Sequence, residues 1–164
     1  MIRWIRVSVV AIVVLLSVTI HSKPGAQAAE SANREKPLPL CELLRSADRY
    51  NGVQVTVSAT YRVGWEAQEL YCLSCWEEKK RAWVEFDSQE GGQKAGRAVD
   101  RLVHGRGTVN GVFTGIFHTA GPYGHLGSYQ NEFSVSAVRS LKLVDRLGFP
   151  PSALRPKSRA RVCQ

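Results

Sequence analysis

The fold is decided by the stretch from Gly107 to Val144. It reads GTVNGVFTGIF at 107–117, GPYGHLGSY at 121–129 and EFSVSAVRSLKLV at 132–144. Two apolar runs around a connection dense in glycine and proline predict a β-hairpin with a long loop at its tip. Three glycines interrupt the first run, and glycine inside a strand marks a bulge, a tight bend or close approach of another backbone. The stretch therefore predicts a strongly coiled hairpin of the kind that closes a small barrel.

Three further strands are predicted upstream of this hairpin. The clearest runs from Val53 to Val63, where apolar residues alternate without a break with polar ones, so that one face is buried and the other is wet. Residues 64–71 are a weaker strand candidate. Residues 81–86 alternate again, with Ala82, Val84 and Phe86 directed inward and Trp83 and Glu85 directed outward.

Two short helices complete the pattern. Leu40 to Ala47 carries apolar residues at the i, i+3, i+4, i+7 spacing of one helix face, and Pro39 stands where a helix start tolerates it. Residues 88–96 are predicted as a polar, glycine-rich loop. Residues 97–104 are predicted as a short helix with an apolar stripe of Val99, Leu102 and Val103.

The order of these elements predicts a mainly β fold. A five-stranded OB-like Greek-key barrel, with an N-terminal helix and a short helix between strands 3 and 4, fits it best. A β-sandwich is the alternative, but five strands are few for one. In the last strand the alternation slips near Val138, where a bulge would return Leu141 and Leu143 to the core side.

Both ends of the chain are expected to lie outside the folded domain. Two arginines precede a run of 14 uncharged, mostly apolar residues and then the small-residue triplet at 26–28, the layout of a secretory signal peptide. An uncleaved anchor would need ~20 apolar residues. We therefore expect an exported protein, periplasmic or secreted, without a stable membrane anchor after cleavage. Its parts are a signal peptide (1–28), a polar spacer (29–37), the domain (38–147) and a basic, proline-rich, disordered tail (148–164).

The net charge of +8 comes mostly from these two ends. Three of the 22 basic residues fall in the expected signal peptide, and four fall in the tail. The remaining 15 face 14 acidic residues, so the body is close to neutral. Binding of single-stranded nucleic acid requires neutralisation of phosphates, and we therefore do not expect a nucleic-acid partner.

Four cysteines stand in the mature chain, and in an exported protein the default is disulfides, with three possible pairings. We predict a Cys41–Cys75 disulfide that ties the first helix to the barrel, with Cys72 and Cys163 either paired or free. Cys72 and Cys75 also have the spacing of a redox motif, but that chemistry is typical of a thioredoxin-like βαβ unit, which this pattern lacks.

Aromatic residues and one histidine are the candidates for a binding face. Strands two and three and their loops bind ligands in OB-folds, and exposed aromatic side chains suit stacking. Tyr61 falls on the buried face by alternation and is expected in the core. The candidate ligand-binding residues are Tyr71, Trp83, Tyr123, His125 and Tyr129.

No residue is predicted to be catalytic, and no metal or cofactor is expected. His125 sits in the glycine-dense loop, where it either bonds a backbone carbonyl or has a function. His104, His118 and His125 do not have the spacing of a zinc site, and Cys72 and Cys75 lack a second pair.

Four segments resemble a group of small exported bacterial proteins with an OB-like barrel. They are LCELL (40–44), YNGVQVTV (50–57), AWVEF (82–86) and GHLGSY (124–129). The resemblance covers about Leu38 to Val144 and implies the fold and the compartment, because the group has no assigned activity. Similar sequences often carry one cysteine near position 75, from which Cys72 and Cys163 are departures.

These expectations together predict an exported, non-enzymatic module of the cell envelope. Its partner would be an envelope protein, a glycan or a small ligand. The alternative is a small metal- or thiol-dependent enzyme that uses His125 and His118 or the Cys72-x-x-Cys75 pair.

Overall fold

The structure is a computed structural model that describes residues 36–78 and 80–148, with the backbone alone at 76–78. Every described residue belongs to one compact unit, residues 34–164. The expected signal peptide, most of the spacer, Cys163 and the tail beyond Gly148 lie outside the described residues.

The described chain is mainly β, with six strands and two α-helices. The strands are β1 Leu38–Pro39, β2 Val53–Gly64, β3 Ala67–Tyr71, β4 Arg81–Phe86, β5 Gly107–His118 and β6 Glu132–Asp145. The helices are α1 Leu40–Arg45 and α2 Glu90–Val103, and 3₁₀ turns form at Ala47–Tyr50, Leu73–Glu78 and His125–Gly127.

The strands form one mixed sheet with a ring of hydrogen bonds. Their order is β1-β2-β3-β4-β6-β5, and β5 also pairs with β2, so that five strands close the ring. The β4–β6 and β1–β2 pairs are parallel, and the other pairs in the sheet are antiparallel. The sequence predicted five strands. The sixth is the two-residue β1, which is added to the edge of β2 outside the ring.

The last two strands form the predicted hairpin, and its register is irregular. The β5–β6 register shifts at three points, and a Cβ at Gly115 would collide with the carbonyl oxygen of Ser134. The slip expected near Val138 lies just beyond Arg139, where Ser140 takes a positive φ of 55°. Leu141 and Leu143 then pack against the core as predicted.

The expected loop at 88–96 is wrong, because α2 already begins at Glu90. Its three glycines suggested a loop, since glycine weakens a helix interior. Two of them, Gly91 and Gly92, are used for close packing instead. A Cβ at Gly91 would lie 2.7 Å from the Ser136 carbonyl oxygen, and one at Gly92 would collide with the backbone of Asp87. The glycines let α2 lie directly against its neighbours.

The hydrophobic core combines side chains of the strands with those of α1. Its fully buried side chains include Leu40 and Leu43 of α1 and three phenylalanines, Phe113, Phe117 and Phe133. Tyr61 is buried as predicted. A disulfide joins Cys41 to Cys75 with their Cα atoms 5.8 Å apart, the pairing expected from the sequence. It ties the short helix to the turn before β4.

Candidate functional site

An open cavity of about 500 Å³ lies between the β2–β3 turn and the loop that joins β5 to β6. Three guanidinium groups from separate parts of the chain line it, those of Arg62, Arg81 and Arg106. We call this the arginine cavity. Its lining contains one carboxylate, Glu66, so basic side chains outnumber acidic ones.

Glu69 is the group that organises the floor of the arginine cavity. It lies on β3 directly opposite Arg62 of β2, and its side chain is fully buried. Arg62 donates from Nε to Glu69 Oε1 at 2.9 Å, and the Tyr129 hydroxyl donates to Oε2 at 2.8 Å. Arg81 Nη1 lies 3.4 Å from the same Oε2. A buried carboxylate must be paired or hydrogen-bonded. Glu69 is paired with two arginines and accepts a hydrogen bond from a tyrosine, and it thereby positions all three side chains.

Tyr129 joins the β5–β6 loop to this buried carboxylate. Arg81 lies over the Tyr129 ring at 4.8 Å from its centroid, and Trp83 packs against the same ring at 5.3 Å. Burial first, and the Glu69 carboxylate second, raise the pKa of Tyr129 well above its usual value. The shift favours the protonated phenol, the form that donates to Glu69.

Arg106 lines the cavity from the connection between α2 and β5. Its guanidinium lies over the Trp65 ring at 5.2 Å from the centroid. A Cβ at Gly64 would lie 3.5 Å from Arg106 Cγ, and one at Gly148 would lie 3.3 Å from it. No carboxylate of the described residues forms an ion pair with Arg106. Its charge is thus held toward the cavity by an aromatic ring, not cancelled by an acid.

The β5–β6 loop is held in one shape by its own backbone. Tyr123 and Tyr129 exchange two backbone hydrogen bonds of 2.8 and 3.2 Å, and Tyr123 donates from its hydroxyl to the Thr119 carbonyl. Gly124 has a φ of 68°, and a Cβ there would lie 2.5 Å from the Trp83 ring. The loop therefore rests on β4 and presents its 3₁₀ turn, which begins at His125, to the cavity.

The five predicted ligand-binding residues do not share one surface. His125 and Tyr129 line the arginine cavity, whereas Tyr71, Trp83 and Tyr123 do not. Tyr71 was expected on an exposed face and is buried, with 1% of its surface accessible. It occupies the last position of β3, where the alternating pattern no longer decides which face is wet. Trp83 is half-buried under Gly124 and Tyr129.

Among the described residues, no backbone carbonyl accepts a hydrogen bond from the His125 side chain, although one interpretation of the sequence expected such a bond. Its Nε2 lies 3.9 Å from Glu66 Oε2, and 44% of its side chain is exposed. His118 lies in β5 opposite Glu132 and does not line the cavity. Within residues 36–78 and 80–148, no three side chains of histidine, cysteine, aspartate or glutamate gather as a metal-binding group.

Cys72 and Cys75 are not bonded to each other, because Cys75 forms a disulfide with Cys41. Cys72 is fully buried, and its Sγ lies 3.1 Å from Ser74 Oγ. The pairing expected as one option for Cys72, with Cys163, stays a prediction because Cys163 lies outside the described residues.

The residues that build the cavity were missed at the sequence level. Scattered arginines in a nearly neutral body gave no reason to group Arg62, Arg81 and Arg106. One signal was available. Arg62 and Glu69 stand symmetrically about the two-residue turn at 65–66, and opposite charges at such cross-strand positions attract.

Comparisons of the chain with protein-family models, with curated proteins and with solved structures find no match. No helix in the part of the chain that the structure describes is long and apolar enough to cross a membrane.

Proposed function

We propose that this chain is an exported, non-enzymatic binding module of the cell envelope, and that the arginine cavity holds an anionic group of its ligand. The observation that carries the proposal is the convergence of Arg62, Arg81 and Arg106 on one open cavity. Guanidinium groups present paired donors that match the oxygens of a phosphate or a carboxylate. Glu69 offsets part of this charge, but it is buried beneath the cavity and leaves Arg106 without an acidic partner among the described residues.

The arrangement of the strands supports an OB-like barrel as the framework of this site. The ring is formed by β2, β3, β4, β6 and β5. In chain order, α2 lies between the third and fourth of these strands, β4 and β5. The OB-fold has this strand count and binds ligands with the loops after its first and fourth strands. Those loops correspond here to the β2–β3 turn and the β5–β6 loop, the two segments that flank the arginine cavity.

Isothermal titration calorimetry tests this function with two soluble probes, glycerol 3-phosphate and citrate. The protein is the chain from Ala29 onward, which contains the whole compact unit. We expect at least one probe to bind at millimolar concentration or below. Arg106→Gln should weaken that binding about tenfold, because a hydrogen bond to a charged group is worth ~1.5–3 kcal/mol.

The matched control is Arg97→Gln, which removes the same charge from the exposed part of α2, away from the cavity. It should leave binding unchanged. The proposal is refuted if neither probe binds, or if Arg97→Gln weakens binding as much as Arg106→Gln does, since the attraction would then be a property of net charge.

A further inference from the structure

The rim of the arginine cavity carries three exposed large apolar side chains. Trp65, at the β2–β3 turn, has 90% of its surface accessible, and Leu126, at the tip of the β5–β6 loop, has 86%. Leu147, which follows β6, is 58% accessible. All three residues line the cavity. Half of the large apolar side chains that are exposed in the described chain therefore surround a single opening.

The two most exposed of these apolar side chains stand on unfavourable backbone conformations. Trp65 has a φ of 38° and Leu126 a φ of 53°, in the left-handed region that side chains with a Cβ rarely adopt. Such conformations persist only where the surrounding structure enforces them, and they concentrate at functional sites. Glycine or asparagine would suit both positions better, so stability alone does not explain a tryptophan and a leucine there.

We propose that the arginine cavity and its rim dock on a membrane surface, with the phosphate of an acidic phospholipid between the arginines. This inference rests on the proposed function and names the source of its anion. Trp65 and Leu126 stand at the tips of two loops and are almost fully exposed, whereas Arg62 and Arg81 have only 12% and 34% of their side chains exposed. Arg106 is exposed and lies against the Trp65 ring. In a bilayer the phosphates lie nearer the water than the hydrocarbon does. Arginines would therefore meet the phosphates, and apolar side chains that protrude further would meet the hydrocarbon. The protruding side chains reach past the headgroups while the arginines stay level with them.

The chemistry of the rim favours a lipid surface over a protein partner. A protein anchor is usually buried in a concave apolar pocket, whereas the concave part of this site is cationic and its apolar parts protrude. Tryptophan is enriched at the membrane–water interface because its ring is apolar and its N–H is polar. Arg106 lies against the Trp65 ring, so two neighbouring loops bring a cation and an apolar side chain to the surface together.

Vesicle co-sedimentation tests the proposal directly. The chain from Ala29 onward is used, so that the apolar run near the N-terminus cannot itself bind vesicles. We expect binding to vesicles of phosphatidylglycerol mixed with phosphatidylcholine, and little binding to phosphatidylcholine alone. The tryptophan emission should shift to shorter wavelength on binding. Added salt should weaken the binding, because exposed charges are screened.

The decisive variant is Trp65→Asn combined with Leu126→Asn, since asparagine tolerates a positive φ and the fold is kept. It should bind the acidic vesicles at least about tenfold more weakly, because burial of a large apolar side chain is worth ~1.5–3 kcal/mol. Leu126→Asn alone, which leaves the Trp65 ring against Arg106, should also weaken vesicle binding, and its affinity for soluble glycerol 3-phosphate should stay within about twofold. Glu66→Gln, which removes the carboxylate from the lining, should strengthen vesicle binding.

Three results overturn the inference. One is equal binding to vesicles with and without phosphatidylglycerol, and another is unchanged vesicle binding by the double asparagine variant. The third is binding of glycerol 3-phosphate or citrate without binding of vesicles, which leaves the proposed function standing and assigns the anion to a soluble ligand or a protein carboxylate. Failure of both the soluble probes and the vesicles sinks the proposed function as well.

Discussion

Replacement of Glu69 by glutamine should destabilise the domain more than any other isosteric change around the cavity. The substitution keeps the shape of the side chain and removes its charge. It leaves Arg62, whose side chain is only 12% exposed, without its carboxylate, and it removes one acceptor from the Tyr129 hydroxyl and from Arg81. Removal of one partner of a buried ion pair costs about 3–5 kcal/mol. Because Arg81 is partly exposed and can be solvated, we expect about 3 kcal/mol.

Urea denaturation at neutral pH measures this loss as a lower transition midpoint, with Glu66→Gln as the matched control. Glu66 is also a glutamate beside the cavity, but 76% of its side chain is exposed. Its replacement should change the unfolding free energy by less than about 0.5 kcal/mol. In a double-mutant cycle, Arg62→Met should cost much less in the Glu69→Gln background than in the wild type. A loss below about 1 kcal/mol for Glu69→Gln refutes the claim that this carboxylate organises the site.

Three further changes test other parts of the structure. Cys41→Ser should cost about 2–4 kcal/mol, because the disulfide spans a sequence separation of 34 residues, and non-reduced peptide mapping that joins Cys72 to Cys75 would contradict the pairing. Gly92→Ala should cost about 1–3 kcal/mol by thermal unfolding, since the added Cβ would collide with the Asp87 backbone. The control is Gly96→Ala in the same helix, which should not destabilise the domain, because its Cβ would lie at an ordinary 3.4 Å from the Phe86 ring. Burial, and secondly repulsion from Glu85, raise the pKa of Glu132 in the folded state. The unfolded state therefore loses this proton first as the pH rises, and ionisation of Glu132 opposes folding. Glu132→Gln should therefore be more stable than the wild type at pH 7 and should lose that advantage in acid; equal stability at pH 7 would contradict the argument.

The sequence predicts most of the β structure because alternation reports burial directly. Val57, Ala59 and Tyr61 are buried on one face of β2, and the bounds of β4 are those expected. The pattern of apolar and polar residues did not give the first residue of helix α2. Gly91 and Gly92 reduce its intrinsic propensity, and the reason for them, close contact with Ser136 and Asp87, exists only after the chain has folded.

The arginine cavity was beyond sequence reasoning for a related cause. Arg62, Arg81 and Arg106 are separated by 19 and 25 residues, and the ring of strand pairings brings them together. Glu69 was unremarkable in sequence, because a glutamate in a strand is usually exposed. Only the pairing of β2 with β3 shows that its carboxylate faces Arg62 and is buried. The net charge of the body is close to zero, and it therefore does not reveal the local excess of positive charge at the cavity.

The central claim, that the arginine cavity binds an anionic group, is tested most directly by nuclear magnetic resonance. The ¹⁵N-labelled chain from Ala29 onward is titrated with glycerol 3-phosphate, and the arginine Nε–H and tryptophan indole signals are followed. We predict saturable shifts at Arg62, Arg81, Arg106 and the Trp65 indole, with the Trp83 indole and Arg97 unmoved. Shifts spread evenly over exposed basic residues, or confined to Arg97 and other sites outside the cavity, would contradict the account.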